Sequence, residues 1–200
     1  MRKDSTRIFD VVIATAGLLC LSPLLASIAI WIKLTSKGPV FFLQNRVGIN
    51  DEDFNLYKFR TMYLNADKKQ TLTIGRHDDR ITSAGAFLRF YKLDELPQLW
   101  NVLKGEMSLV GPRPELRKYV KLYNSYQKEV LKVRPGITDM ASIQFRNENE
   151  LLANATDPEQ FYIQHILPAK LELSKCYVIN KSSKLYFKII LVTLYCVWKQ

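Results

Sequence analysis

The sequence predicts an α+β protein, mostly helical, with one short β-hairpin and an apolar helix at its N-terminus. Three observations carry this. Residues 11–32 hold no charged side chain, and Ser22-Pro23 lies at their centre. Two β-prone runs flank Gly48-Ile49-Asn50-Asp51, the pattern of strands around a turn. Beyond residue 80, residues that open and close helices recur at helical spacing. The division read from this is 1–37, the apolar helix with its basic flanks, and 38–200, a domain ending in an apolar helix.

The apolar run comes first. Its 22 residues (11–32) would make a straight helix of about 33 Å, against a bilayer core of about 30 Å. It is longer than the apolar part of a signal peptide. Pro23 removes a backbone donor and crowds the carbonyl four residues back, that of Leu19, so a bend is expected there. The Ser22 hydroxyl can bond a carbonyl one turn earlier. Arg2, Lys3 and Arg7 precede the run; Lys33 and Lys37 follow it. Both flanks thus carry the charge that keeps a segment on the cytoplasmic side. Three arrangements remain open on these residues: a helix that enters and returns, a Pro-kinked spanning helix, and a buried core helix.

Val40 to Gln44 and Phe54 to Phe59 are the hairpin strands. Thr82-Ser83 caps a short helix through Arg89. Pro97 to Lys104 is a helix with proline in its first turn and Gly105 past its end. Glu115 to Val133 reads as a long helix with Val120, Tyr123, Val130 and Leu131 as core positions, stopped by Pro135-Gly136. Asp157-Pro158 opens another. Leu185 to Trp198 is apolar nearly all round; it packs inside or lies among headgroups with Lys184, Lys188 and Lys199 outward.

Composition limits the chemistry. Twenty-nine Lys+Arg against 19 Asp+Glu give a net charge of +10, which favours anionic partners such as phosphates, nucleotides or lipid headgroups. The cysteines (Cys20, Cys176, Cys196) are odd in number and widely spaced, which fits a reducing compartment. His77 and His165 lie far apart, with no cysteine at ligand spacing, so a zinc site is not expected. No P-loop, G-x-G-x-x-G or G-x-S-x-G is present. Nor is there an aromatic-basic RNA motif, so nucleic acid is not an expected partner.

The most informative segment is Leu93-Asp94-Glu95-Leu96-Pro97-Gln98-Leu99. Two adjacent carboxylates precede a proline-initiated helix, whose N-terminus favours anions. Arg80, Arg89, Lys92, Lys104 and Arg113 surround them in sequence. Carboxylates among cations suit a divalent metal held with a diphosphate; plain helix capping is the other reading. In Gly111-Pro112-Arg113-Pro114 the prolines stiffen the chain around a guanidinium suited to clamping phosphate. Lys58 and Arg60 alternate as on one strand face. Asp51-Glu52-Asp53 is a D-x-D, but it follows a turn where acids are expected.

Several motifs now coincide in order: Arg7-Ile8-Phe9-Asp10; Ser22-Pro23; Ser36-Lys37-Gly38-Pro39-Val40-Phe41-Phe42; Gln44-Asn45-Arg46-Val47-Gly48; Tyr57-Lys58-Phe59-Arg60-Thr61-Met62; Leu93 to Val102; Gly105 to Pro114; and Arg134-Pro135-Gly136-Ile137-Thr138. The chain resembles the small monotopic phosphoglycosyl transferases of the bacterial sugar transferase family over about residues 7–140. The resemblance implies a re-entrant membrane helix broken at Ser22-Pro23 and a catalytic domain on the cytosolic face of the bacterial inner membrane. It implies a UDP-sugar donor, a polyprenyl-phosphate (undecaprenyl-phosphate) acceptor, and UMP as leaving group. It makes Asp94 the nucleophile and a Mg²⁺ ligand, and Glu95 the base toward the lipid phosphate. Arg113 would neutralise the diphosphate with Mg²⁺, and Lys58, Arg60, Arg80 and Arg89 would contact phosphate or uridine. A homodimer is compatible with it. Asp139-Met140-Ala141-Ser142 departs from the usual continuation of the Pro-Gly-Ile-Thr motif, so no sugar preference is carried over. A rival enzyme, a metal-dependent UDP-sugar glycosyltransferase using Asp51 and Asp53, would release UDP.

Overall fold

The computed structural model describes residues 6–64, 66 and 78–199. Arg2, Lys3 and His77, noted above, lie outside the described residues.

Helix α1 runs from Arg7 to Thr35 as one element, through Pro23. The chain stays helical across Ser22-Pro23, where a break was expected. The reason is local: Pro23 offers no N–H to the Leu19 carbonyl, and the Ser22 hydroxyl donates to that carbonyl instead, at 2.8 Å. Ser27 in turn donates to the Pro23 carbonyl at 2.8 Å. The most apolar stretch of α1 is only 11% buried, so the core-helix alternative is set aside and membrane association is the natural fate of this surface.

The two ends of α1 are fixed to the same body. At one end Arg7 donates to the carbonyls of Leu103 and Met107. Buried Asp10 accepts from the Ser108 hydroxyl, the Leu109 N–H and the Tyr186 hydroxyl, at 2.9, 2.9 and 2.7 Å. At the other end Ile28 and Ile32 pack with Phe59 and Leu88, and the Arg60 guanidinium donates to the carbonyls of Ser36 and Lys37.

Strands β1 (Phe41–Val47) and β2 (Asp53–Phe59) form the expected antiparallel hairpin. Its turn places Asn50 and Asp51 at positive φ, which short polar side chains tolerate. Helix α2 (Ser83–Phe90) is capped by Thr82, which accepts from the Gly85 N–H at 2.9 Å. A tight turn, Leu93–Glu95, leads into α3 (Gln98–Lys104), closed by Gly105 at φ 88°. Buried Asn101 of α3 accepts from the Tyr57 N–H and donates to the Asn55 carbonyl, which fixes α3 to the hairpin.

A second, parallel sheet was not foreseen: β3 (Ser108–Val110) beside β4 (Gly136–Thr138). Its strands are too short to show a period. The long helix expected over 115–133 is also absent. Only α4 (Arg117–Val120) and a 3₁₀ segment, Gln127–Lys132, form there. Asn124 and Gln127 exchange side-chain-to-backbone hydrogen bonds, at 2.8 and 3.0 Å. Such reciprocal capping starts a new turn and ends the old one. Val120, Tyr123 and Val130 are nevertheless buried, as expected.

The remainder is helical: α5 (Met140–Gln144), α6 (Glu148–Ala153), α7 (Pro158–Phe161), α8 (Leu167–Ile179) and α9 (Ser183–Trp198). Asp157 caps α7 as expected. Asp139, in the departing motif, caps α5 through the Ser142 N–H and accepts from Ser174 of α8. On α9, Tyr186 and Ile189 are buried while Leu191, Leu194, Tyr195 and Trp198 are exposed. One face packs inside, as the first of the two readings expected, and the other is left apolar and open.

Candidate active site

Asp94 and Glu95 sit in the turn between α2 and α3. Lys92, just before them, adopts a left-handed conformation at φ 57°, which costs a non-glycine residue about 1–3 kcal/mol. The two carboxylates line one cavity of about 720 Å³ with Lys58, Arg89, Lys92 and Arg113.

Their environments differ. Glu95 is clamped: the Arg113 guanidinium spans both its oxygens, and Lys58 approaches to 3.3 Å. Burial alone would raise its pKa, but Arg113 and Lys58 outweigh burial and hold it well below the usual carboxylate range. Asp94 is only 8% exposed. Burial first, and the charge of Glu95 second, push its pKa above the ordinary value, against the pull of Lys58, Arg89 and Lys92. Neighbouring carboxyls driven apart in this way are a common mark of a catalytic pair.

The cations are held in place. Arg113 sits between Pro112 and Pro114, and that segment is tied to β4: the Gly111 N–H donates to Thr138 and the Gly136 N–H to Pro112. A Cβ on Gly136 would lie 2.0 Å from the Gly111 nitrogen, so only glycine permits this approach. Arg89 of α2 donates to the Thr61 hydroxyl at 2.9 Å. Burial lowers the pKa of both Lys58 and Arg89.

Two expected site residues are elsewhere. Arg60 does not line the cavity; β2 ends at Phe59, so the strand alternation that would place it beside Lys58 does not reach it, and it clamps the end of α1 instead. Arg80 is paired with Asp78 at 2.6 Å, outside the cavity. The rival D-x-D is also outside: Asp51 and Asp53 both bind Arg117.

The cavity adds residues to which no role was given. Arg46 lies on the hairpin face that holds Lys58, two steps along β1 from Gln44; strand alternation could have found it. Glu115 accepts from the Tyr162 hydroxyl at 2.6 Å and pairs with Arg46 at 3.6 Å. Lys170 of α8 pairs with Glu148 at 2.8 Å. These residues, with Arg146 and Asn149, bring the helices beyond residue 145 into the site wall.

The arrangement joins a buried acid pair, a fixed set of cations and a largely exposed apolar helix. Such an arrangement can hold an anionic, phosphate-bearing group beside an acid pair. The whole chain, residues 1–200, matches the family model described as bacterial sugar transferase. Relatives agree. A UDP-glucose:undecaprenyl-phosphate glucose-1-phosphate transferase of Xanthomonas campestris pv. campestris is 41% identical over 78% of this chain and 34% of its own length. A UDP-N-acetylgalactosamine-undecaprenyl-phosphate N-acetylgalactosaminephosphotransferase of Aeromonas hydrophila is 44% identical over 67% of this chain and 32% of its own. A sugar transferase of Bacillus subtilis, EpsL, is 44% identical over 70% of this chain and 69% of its own. The chain belongs to the bacterial sugar transferase family. It spans about a third of the length of the first two relatives.

Proposed function

We propose that this chain moves a sugar 1-phosphate from a UDP-sugar to polyprenyl phosphate, the first step in building a bacterial surface glycan. The observation that carries the proposal is the unequal acid pair: Glu95 clamped by Arg113 and Lys58, with Asp94 buried beside it and outside that clamp.

Asp94 attacks the phosphorus that bears the sugar. The bond from that phosphorus to the bridging oxygen breaks, and UMP leaves with the electron pair. The sugar phosphate remains on the Asp94 carboxylate. An oxygen of the lipid phosphate then attacks the same phosphorus and restores the carboxylate. A carboxylate is a weak nucleophile, so the reacting phosphoryl group must be neutralised. Arg113, Lys58 and Arg89 supply that charge. A bound diphosphate competes with Glu95 for Arg113 and Lys58. Once released, Glu95 regains its basicity and takes the proton of the lipid phosphate.

Mg²⁺ suits this donor set, because it takes one or two carboxylates with substrate phosphates and keeps several waters. Among the described residues no cluster of three or more acids, histidines or cysteines is placed to hold a metal without substrate. Asp94 would hold it, and when bound it would neutralise diphosphate charge.

We read α1 as re-entrant, with the catalytic domain on the cytosolic face of the inner membrane. A helix of 29 residues is about 43 Å long, yet contacts from Arg7, Asp10, Ile28, Ile32 and Arg60 tie its two ends to one domain. Exposed side chains run along its whole length, from Ile8 through Ser22-Pro23 to Leu34.

The test is a panel of labelled UDP-sugars with Mg²⁺ and no acceptor. The expected result is label bound to the protein and UMP in solution, with neither from Asp94→Asn. Release of UDP, or equal labelling of the Asn variant, overturns the reading.

A further inference from the structure

We infer that the hydrocarbon chain of the acceptor reaches the acid pair through a seam between α1 and α9. This rests on the polyprenyl-phosphate acceptor proposed above and adds its route.

The cavity that holds Asp94 and Glu95 is not polar throughout. Ile13, Gly17 and Leu21 of α1 line it at intervals of four residues, and Ile190, Leu194 and Val197 of α9 at intervals of four and three. Each set is one stripe on one helical face. The two helices meet where the Tyr186 hydroxyl donates to Asp10 and the Phe9 and Phe187 rings pack edge-on at 5.1 Å. Beyond that joint, both stripes border the cavity.

Each stripe is also fixed relative to the site. A Cβ on Gly17 would lie 3.2 Å from Leu99 Cδ1, so α1 lies close against α3, the helix that follows the acid pair. Thr193 of α9 shares a 2.8 Å hydrogen bond with Thr138 of β4, and β4 holds the Arg113 segment. One cavity is therefore lined both by cations and carboxylates and by two apolar helix faces. That polarity matches an amphiphile with a phosphate head. A UDP-sugar, polar at both ends, would gain nothing from the apolar walls. The outer surface beside the cavity is apolar too, with Leu194, Tyr195 and Trp198 exposed on α9, so hydrocarbon can enter directly from the lipid phase.

The experiment uses the full chain in lipid nanodiscs. Leu194 and Leu191 are both exposed on α9, at 61% and 67%, and of the two only Leu194 borders the cavity. Leu194→Glu is expected to raise the KM for polyprenyl phosphate about tenfold or more, since a carboxylate against hydrocarbon is costly. Its KM for UDP-sugar and its donor-only labelling are expected to stay within about twofold of wild type. Leu191→Glu is expected to change neither. A polyprenyl phosphate with a photoreactive group in its first isoprene units should crosslink to residues 13–21 and 190–197, and excess phosphatidylglycerol should not protect them. Equal effects of the two variants, no effect of either, crosslinks elsewhere, or full protection by phospholipid each overturn the seam. Absence of donor labelling in wild type would instead overturn the parent reading, and the crosslink map is read independently of it.

Discussion

Asp94-Glu95 and Asp51–Asp53 are both acid pairs beside a turn, and both meet a guanidinium. At the hairpin, Arg117 takes up Asp51 and Asp53 together on the surface, where those side chains are 42% and 43% exposed. In the cavity, Arg113 takes up Glu95 alone and leaves the buried Asp94 outside the pair. Water screens the first cluster, so its charges are nearly cancelled and nearly inert. The second keeps an acid whose ionised form is disfavoured by burial, next to cations a phosphate can claim. On the proposed function, reactivity follows from unequal pairing in a buried place, not from the number of acids.

The sharpest way to break this comparison is Asp94→Asn. It is expected to lower turnover by about 10⁴-fold or more, as for loss of a nucleophile. Stability should move the other way. The folded-state pKa of Asp94 is raised, so its ionisation costs stability as pH rises from the unfolded pKa through the folded one, a cost in force at neutral pH. The Asn variant should therefore melt at or above the wild-type temperature at neutral pH. A lower melting temperature would mean that Asp94 is a structural acid.

Arg113→Ala comes next, with an expected loss of about 10²–10³-fold in kcat/KM for the donor, the scale of one removed charge-stabilising group. Arg113→Lys should recover only part, because a point charge cannot span two oxygens. Full recovery by Lys would reduce Arg113 to a general positive charge.

A smaller effect concerns pH. Turnover should fall as pH drops through the raised pKa of Asp94, because in the proposed mechanism the carboxylate is the attacking form. The charge of Glu95 is one cause of that rise. Glu95→Gln should thus move the acid limb of donor-only labelling to lower pH, even as it slows transfer to lipid. A limb that stays put or moves upward would uncouple the two acids.

What was legible beforehand follows from the range of each signal. The hairpin, α2 and α3 were readable because turn residues, Thr82 and Gly105 act on their immediate neighbours. Asp94, Glu95 and Arg113 drew notice through local stiffness and charge. The 115–133 segment misled because Asn124 and Gln127 restart the chain within an otherwise helical pattern. β3 and β4 were hidden because three-residue strands pair across the close approach of Gly111 and Gly136. Asp10 stood in a quoted motif without a role, since its partners Ser108 and Tyr186 lie far away in sequence. Arg60 and Arg80 show the converse: a basic side chain near a site in sequence has no fixed direction until the backbone gives it one.

The gentlest test is on the other member of the comparison. Asp51→Asn with Asp53→Asn removes the two carboxylate charges paired with Arg117, which is itself partly exposed. Exposed pairs contribute about 0–1 kcal/mol, so the double variant should lose at most about that much stability, and less at high salt because the pairs are already screened. Donor labelling, UMP release and Mg²⁺ dependence should stay within about twofold of wild type. A loss of Mg²⁺ dependence in this variant would revive the rival enzyme and make UDP the nucleotide to look for. An unchanged dependence would leave the buried pair as the acids through which the metal acts.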